Sequence, residues 1–230
     1  MSEWWTYRPS DFLLFSSQTY YRLFELYNAA IWPAQVVAVV LAIGILLLLR
    51  RPAEGQGRLV AGILAAFWLW IAIRFHLRRY ATINWAAVYF AWAFGLEAAL
   101  LIWTGIVRRG LEFAPRADRV GRIGVGIFLF ALFIAPLIGP LLGRSWGQVE
   151  ILGVAPDPTA VATLGLLLAV SGRVRWELLL IPLGWCAVSG ATLWTLGAPD
   201  KWVMPVAGLA AGTLGIWKTL TWRRLSHRIP

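Results

Sequence analysis

One cysteine, two histidines and eleven acidic residues are all that 230 positions contain of these types. The lone Cys186 has no intrachain disulfide partner, and no Cys/His spacing of a metal site exists. With His76 and His227 the only imidazoles, a haem or di-metal centre would lack ligands. GxSxG, Walker A, HExxH and CxxC are all missing. No metal, no cofactor and no enzymatic activity are therefore expected. Lys218 lies near the end of the last apolar run, too far from its middle for a retinal Schiff base, which excludes a rhodopsin. The opening Met1-Ser2-Glu3-Trp4-Trp5 has no basic stretch followed by an apolar core, so no cleavable signal peptide is expected. Charge is scarce too, at 14% of residues, where a soluble domain typically carries about 25%.

Apolar residues fill the space these absences leave. They make up 60% of the chain, with a mean hydropathy of +0.69. Helix-length apolar runs follow one another with short charged breaks. A lipid solvent selects that pattern, because each backbone polar group in hydrocarbon must be satisfied within its own helix. The reading is an all-α integral membrane protein, one bundle over residues 1–230. Seven spans are expected at about 29–49, 59–77, 83–107, 123–142, 158–175, 178–196 and 202–220. Residues 1–28 precede them as an interfacial segment, in which Tyr20, Leu23, Phe24 and Tyr27 recur at helical spacing and Ser16 or Ser17 stands at the cap position. Pro136 and Pro140 should kink or break the fourth span.

The fifteen tryptophans and the net charge of +10 fit the same picture. Trp32, Trp103, Trp146, Trp202 and Trp217 fall near predicted helix ends, as in an interfacial belt, whereas Trp68, Trp92 and Trp185 fall deeper. Arginines at span ends make the lipid bilayer, and no nucleic acid, the expected partner. With the N-terminus outside and the C-terminus inside, fourteen of the 21 Lys and Arg lie on the inner side, which favours that orientation. Arg74, Arg78 and Arg79 go against the bias and form, with His76, an outer basic patch suited to an anionic headgroup, an anionic solute or an acidic loop.

Three further places depart from inert lipid-facing helix. Glu97 is the one acidic residue deep inside a span, where a lone carboxylate costs several kcal/mol unless paired, protonated or wetted. At ~1.5 Å rise per residue it lies ~15 Å from the inner end of its span and Arg74 ~22 Å from the inner end of the preceding one, within reach of an intramembrane Glu97–Arg74 pair. Such a pair is architectural, or serves transport or proton handling. Pro156-Asp157-Pro158 has the form of a helix cap, and alternatively of a re-entrant loop lining a cavity. Gly208 and Gly212 give the last span a small-residue face for close helix contact, and Gly121, Gly124 and Gly126 form a weaker one.

The stretch Glu3 to Ser16 (EWWTYRPSDFLLFS), with Tyr20 to Asn28 after it, resembles the opening of an uncharacterised bacterial multi-pass membrane family known as a domain of unknown function. Gly153-Val154-Ala155-Pro156-Asp157-Pro158-Thr159 resembles a loop of the same family, as does Ile83-Asn84 with Ala86-Ala87. The resemblance implies a membrane fold in a bacterial inner membrane, and no activity. It also implies a cysteine between the two prolines, where this chain has Asp157, so a thiol or metal role for the loop is not carried over.

Two function classes follow. One is a small transporter or channel for an ion or solute, motivated by Glu97, Arg74, the proline-broken fourth span and the loop at Asp157. The other is an accessory subunit of a larger membrane complex, energy-converting or pigment-bearing, motivated by the tryptophan-rich surface and small-residue faces. Membrane-protein partners or a homo-oligomer belong with it.

Overall fold

The computed structural model describes residues 15–50, 54–113 and 118–226. The N-terminal motif before Phe15 and the charged residues Arg51 and Arg116 lie outside them. Among the described residues nine α-helices follow one another: α1 (Ser17–Ile31), α2 (Ala34–Arg50), α3 (Gln56–Trp70), α4 (Ala87–Leu101), α5 (Arg119–Leu129), α6 (Ala135–Leu141), α7 (Pro156–Leu168), α8 (Trp176–Thr195) and α9 (Val203–Ser226). Among the described residues there is no strand beyond two isolated bridges.

Three helices widen into π-turns. α3 runs on through Ile71–Leu77, α4 through Ile102–Val107, and α5 through Phe130–Ile134 into α6. The last of these answers the expected break in the fourth span. Pro136 enters at the start of α6 just past the wide turns, where its missing N–H and its ring are tolerated, and the span continues to Leu141.

Among the described residues five continuous helical stretches are long and apolar enough to cross a membrane: Gln56–Thr82, Ala87–Val107, Arg119–Leu141, Trp176–Thr195 and Val203–Trp222. A sixth is reached if α1 and α2, bent by 86° at Trp32-Pro33, count as one. The expected span at 158–175 has a different form. α7 has 13 residues, and every one of them is buried. At ~1.5 Å per residue it is ~20 Å long against a hydrocarbon core of ~30 Å. Sequence hydropathy detects apolar residues and does not distinguish those facing lipid from those facing protein.

α1 forms as its periodicity requires, with Ser16 accepting from the Thr19 amide at 3.2 Å and Tyr20, Leu23, Phe24 and Tyr27 buried on one face. Protein covers that face: Phe24 and Tyr27 pack on Phe75 at 5.1 and 5.3 Å between ring centroids. The opposite side carries the exposed Arg22–Glu25 ion pair, 2.8 Å.

α7 is the axis of the bundle. Its closest neighbour is α5, where Gly124 and Gly165 bring the backbones so near that a Cβ on either would strike the other's carbonyl oxygen. Gly124, one of the glycines expected to matter less, thus brings two helix backbones into direct contact, whereas an added Cβ on Gly126 would meet nothing. In α9, Gly208 lies against Cys186 of α8, where an added Cβ would come within 2.9 Å, so this small-residue face works inside the chain; Gly212 has only Leu183 at 4.0 Å.

Candidate functional site at the head of α7

The chain descends to α7 through residues 149–155. Asn28 holds the top of this descent, its amide donating to the Gly147 and Val149 carbonyls, both at 2.8 Å. Lower down, Tyr27 donates to the Val154 carbonyl at 2.8 Å and receives the Trp70 indole N–H at 3.0 Å. Gly153 has φ +90° and no room for a side chain between Phe67 and Ala38, so only glycine serves there. Thr159 closes the turn, accepting from the Gly153 amide and donating to the Ala155 carbonyl.

Asp157 does not cap α7. The capping position is Ala155, and Asp157 sits within the first turn between two prolines. Pro156 and Pro158 carry no N–H, so that turn has little to offer a capping carboxylate. The carboxyl instead reaches across to α8: Trp185 Nε1 donates to Oδ1 at 2.8 Å and Ser189 Oγ donates to Oδ2 at 2.6 Å. An acid at the N-terminal end of a helix is also favoured by the macrodipole.

Three more charged side chains converge beside Asp157, Arg144 and Glu150 from the α6–α7 connection and Asp200 from the α8–α9 connection. Arg144 pairs with Asp200 and stands 3.9 Å from Glu150, and its guanidinium lies over the Tyr21 ring at 4.7 Å. Gly139 makes space for it, since a Cβ there would come within 2.8 Å of Arg144 Nε. The side chains of Arg144, Glu150 and Asp200 are 13, 14 and 10% exposed, so all four charged groups are largely cut off from solvent. They line a cavity of about 40 Å³. Several of their atoms have no hydrogen-bond partner: Asp200 Oδ1, Glu150 Oε2, Arg144 Nε and Nη1. Burial, reinforced by Asp157 and Asp200, pushes the Glu150 carboxyl well above its ordinary range, and Arg144 offsets this only in part. Among the described residues no three His, Cys, Asp or Glu are grouped so as to hold a metal ion.

The other end of α7 is held by Lys218. Its ammonium, buried on α9, donates to the Leu168 and Val170 carbonyls at 2.8 and 2.7 Å and pairs with Asp118 at 3.0 Å. A cation thus meets the C-terminal carbonyls as an acid occupies the first turn.

The remaining expected site residues are dispersed. The Glu97–Arg74 pair does not form. Glu97 is fully buried with both carboxyl oxygens unpartnered, whereas the Arg74 guanidinium lies 5.6 Å from the Trp70 ring centroid. Axial rise places two residues at compatible depths but says nothing of azimuth. Arg74 also belongs to the π-turns, where the 3.6-residue period of an α-helix no longer holds. His76 leaves the basic patch for the interior, boxed by aromatic rings with Phe94 at 4.5 Å and Trp185 at 5.0 Å, and neither ring nitrogen has a partner. Trp185 thereby touches both His76 and Asp157. Arg78 is exposed, and Arg79 joins Arg22, Gln18 and Thr82 around a groove of about 380 Å³ beside α1.

Sequence reasoning reached Asp157 and missed Arg144, Glu150, Asp200 and Lys218. One signal was present: Arg144, Glu150 and Asp200 all fall in connections at the same end of the expected spans, where an ion cluster can assemble. No curated protein and no solved structure matches the chain. A family model matches residues 17–226, and the chain belongs to that family, the family of unknown function DUF6064.

Proposed function

We propose that this is a multi-pass transporter that exchanges a proton for a small cationic solute at the Arg144–Glu150–Asp157–Asp200 cluster. The observation that carries this is the cluster's charge balance in its surroundings. Three carboxyls face one guanidinium around a buried cavity at the broken entrance to a half-length helix. Fully ionised, the group would hold two uncompensated negative charges in a low-dielectric interior, which is costly. Protons or a bound cation relieve that cost, and alternation between the two is cation–proton exchange. Half-helices whose ends meet a buried site are a recurring element of membrane transporters.

The proposal includes seven crossings, with the N-terminal segment outside, in a bacterial inner membrane. Its support is that Arg144 meets Asp200 at one end of the bundle while Val170 and Asp118 meet Lys218 at the other. The descent through 151–155 plus α7 then counts as the fifth pass. The Lys and Arg bias sets the direction.

Purified protein in liposomes loaded with a pH-sensitive dye provides the test. An imposed gradient of a small organic cation should drive a pH change across the vesicle, reduced at least tenfold by Asp157→Asn and by Glu150→Gln. Flux unchanged in both variants would overturn the proposal.

An accessory-subunit role has one observation in its favour. Tyr89, Trp92 and Leu96 form an exposed stripe on α4, with Trp92 75% exposed well inside the span rather than at its ends, a place suited to a partner helix. Co-migration with a larger complex in mild detergent at native abundance tests it.

A further inference from the structure

The polar cavity has a side entrance. An apolar groove of about 620 Å³ runs between α5–α6 and α9, walled by Ile123, Ile127, Trp202, Val206, Ala207 and Ala210. Phe130, Ile138, Val161 and Val203 line both this groove and the cavity at Asp157, so the two spaces adjoin. The groove follows the helix from Ile123 to Ile138, ~22 Å at the rise of an α-helix. Its mouth is flanked by exposed apolar side chains such as Ile123 and Val206, which face the hydrocarbon in a membrane-spanning bundle.

The two ends of this combined space ask for different chemistry. The groove offers apolar contact along a length that takes an alkyl chain. The cavity, at about 40 Å³, admits on the order of three waters or one small polar head. Its lining carries three carboxyls against a single guanidinium, so a positive head is complementary and a phosphate or carboxylate head is repelled. Asp200 Oδ1, on a side chain nine-tenths buried, and Glu150 Oε2 are acceptors with no donor, and an ammonium brings three donors.

We propose that the substrate enters sideways from the bilayer through this groove and is an amphiphile with a small ammonium head and an apolar body. The inference rests on the cluster being the transport site and names the class of cation it takes.

The test uses a dodecylamine carrying a photoreactive diazirine, and its dodecanoic acid counterpart, on the full chain in phosphatidylcholine nanodiscs, with labelled peptides mapped by mass spectrometry. The amine should label the segments 123–138 and 202–210 saturably, be displaced by excess plain dodecylamine, and exceed the acid at least tenfold. Ala210→Trp should abolish that labelling, whereas Leu209→Trp, which places the same indole on α9 outside the groove lining, should leave it intact. Glu150→Gln with Asp200→Asn should erase the preference for amine over acid. Equal labelling by amine and acid in the unaltered protein would overturn the proposal, as would labelling that does not saturate. If the amine preference is absent but pH-coupled flux still depends on Asp157, lateral entry of an amphiphile falls and the exchange reading stands. If the preference holds and no flux is found, a cationic-lipid binding site stands and the exchange reading falls.

Discussion

Lys218 donates to the Leu168 carbonyl at 2.8 Å, joining the last helix to the final residue of the buried one. The same ammonium holds Val170 and Asp118. Lys218→Met should therefore cost about 2–3 kcal/mol, the range for charge-assisted hydrogen bonds lost to a buried group. The expected readout is a lower midpoint of thermal unfolding in non-ionic detergent, partly restored by Lys218→Arg.

The contact between Gly124 and Gly165 leaves no space for a methyl group on either helix. Gly124→Ala and Gly165→Ala should each destabilise by about 1–3 kcal/mol or more through forced separation of α5 and α7. Gly126→Ala and Gly95→Ala, where an added Cβ meets nothing, should be neutral or stabilising by up to ~1 kcal/mol. Four unfolding midpoints measured side by side decide the matter.

The pH dependence follows from Glu150. Its carboxyl binds a proton more tightly in the folded protein than its ordinary value of 4.5. Between that value and the raised one the folded state holds more protons than the unfolded state, so stability falls as pH rises. The unfolding midpoint should drop from pH 4.5 toward neutrality, and Glu150→Gln should flatten that part of the profile. A midpoint that rises over this window in the unaltered protein, and not in the variant, would contradict the assignment.

Glu97 and Arg74 should behave as independent residues. A double-mutant cycle of Glu97→Gln and Arg74→Gln on thermal stability should give a coupling energy below about 0.5 kcal/mol, as for sites without shared partners. A coupling of several times that size would restore the ion pair that the geometry denies.

Much of the framework was legible in the residues themselves. Tyr20, Leu23, Phe24 and Tyr27 announce a helix face by their spacing, and that face is buried. The five helical stretches long and apolar enough to cross a membrane coincide with apolar runs, the pattern that a lipid solvent demands. α7 misled in one respect, since a helix buried on all sides carries the same apolar signal as one in lipid. The site was less legible. Asp157 was visible as a polar residue between prolines, but its partners Trp185 and Ser189 come from another helix, Arg144 and Glu150 from the α6–α7 connection and Asp200 from the α8–α9 connection. Spacing along a chain states which residues share a helix face. It carries no information on which loops fold over the same end of a bundle.

The complete burial of α7 has a consequence for how the protein is made. Its 13 residues rest on α5, which precedes them, and on α8 and α9, which leave the ribosome later. Until Trp185, Ser189 and Lys218 have been synthesised, the Asp157 carboxyl and the last carbonyls of α7 have none of these donors. The contacts of the innermost helix are therefore complete only once the last helix has been made. A chain halted before Lys218 would keep its early spans and lack a settled centre.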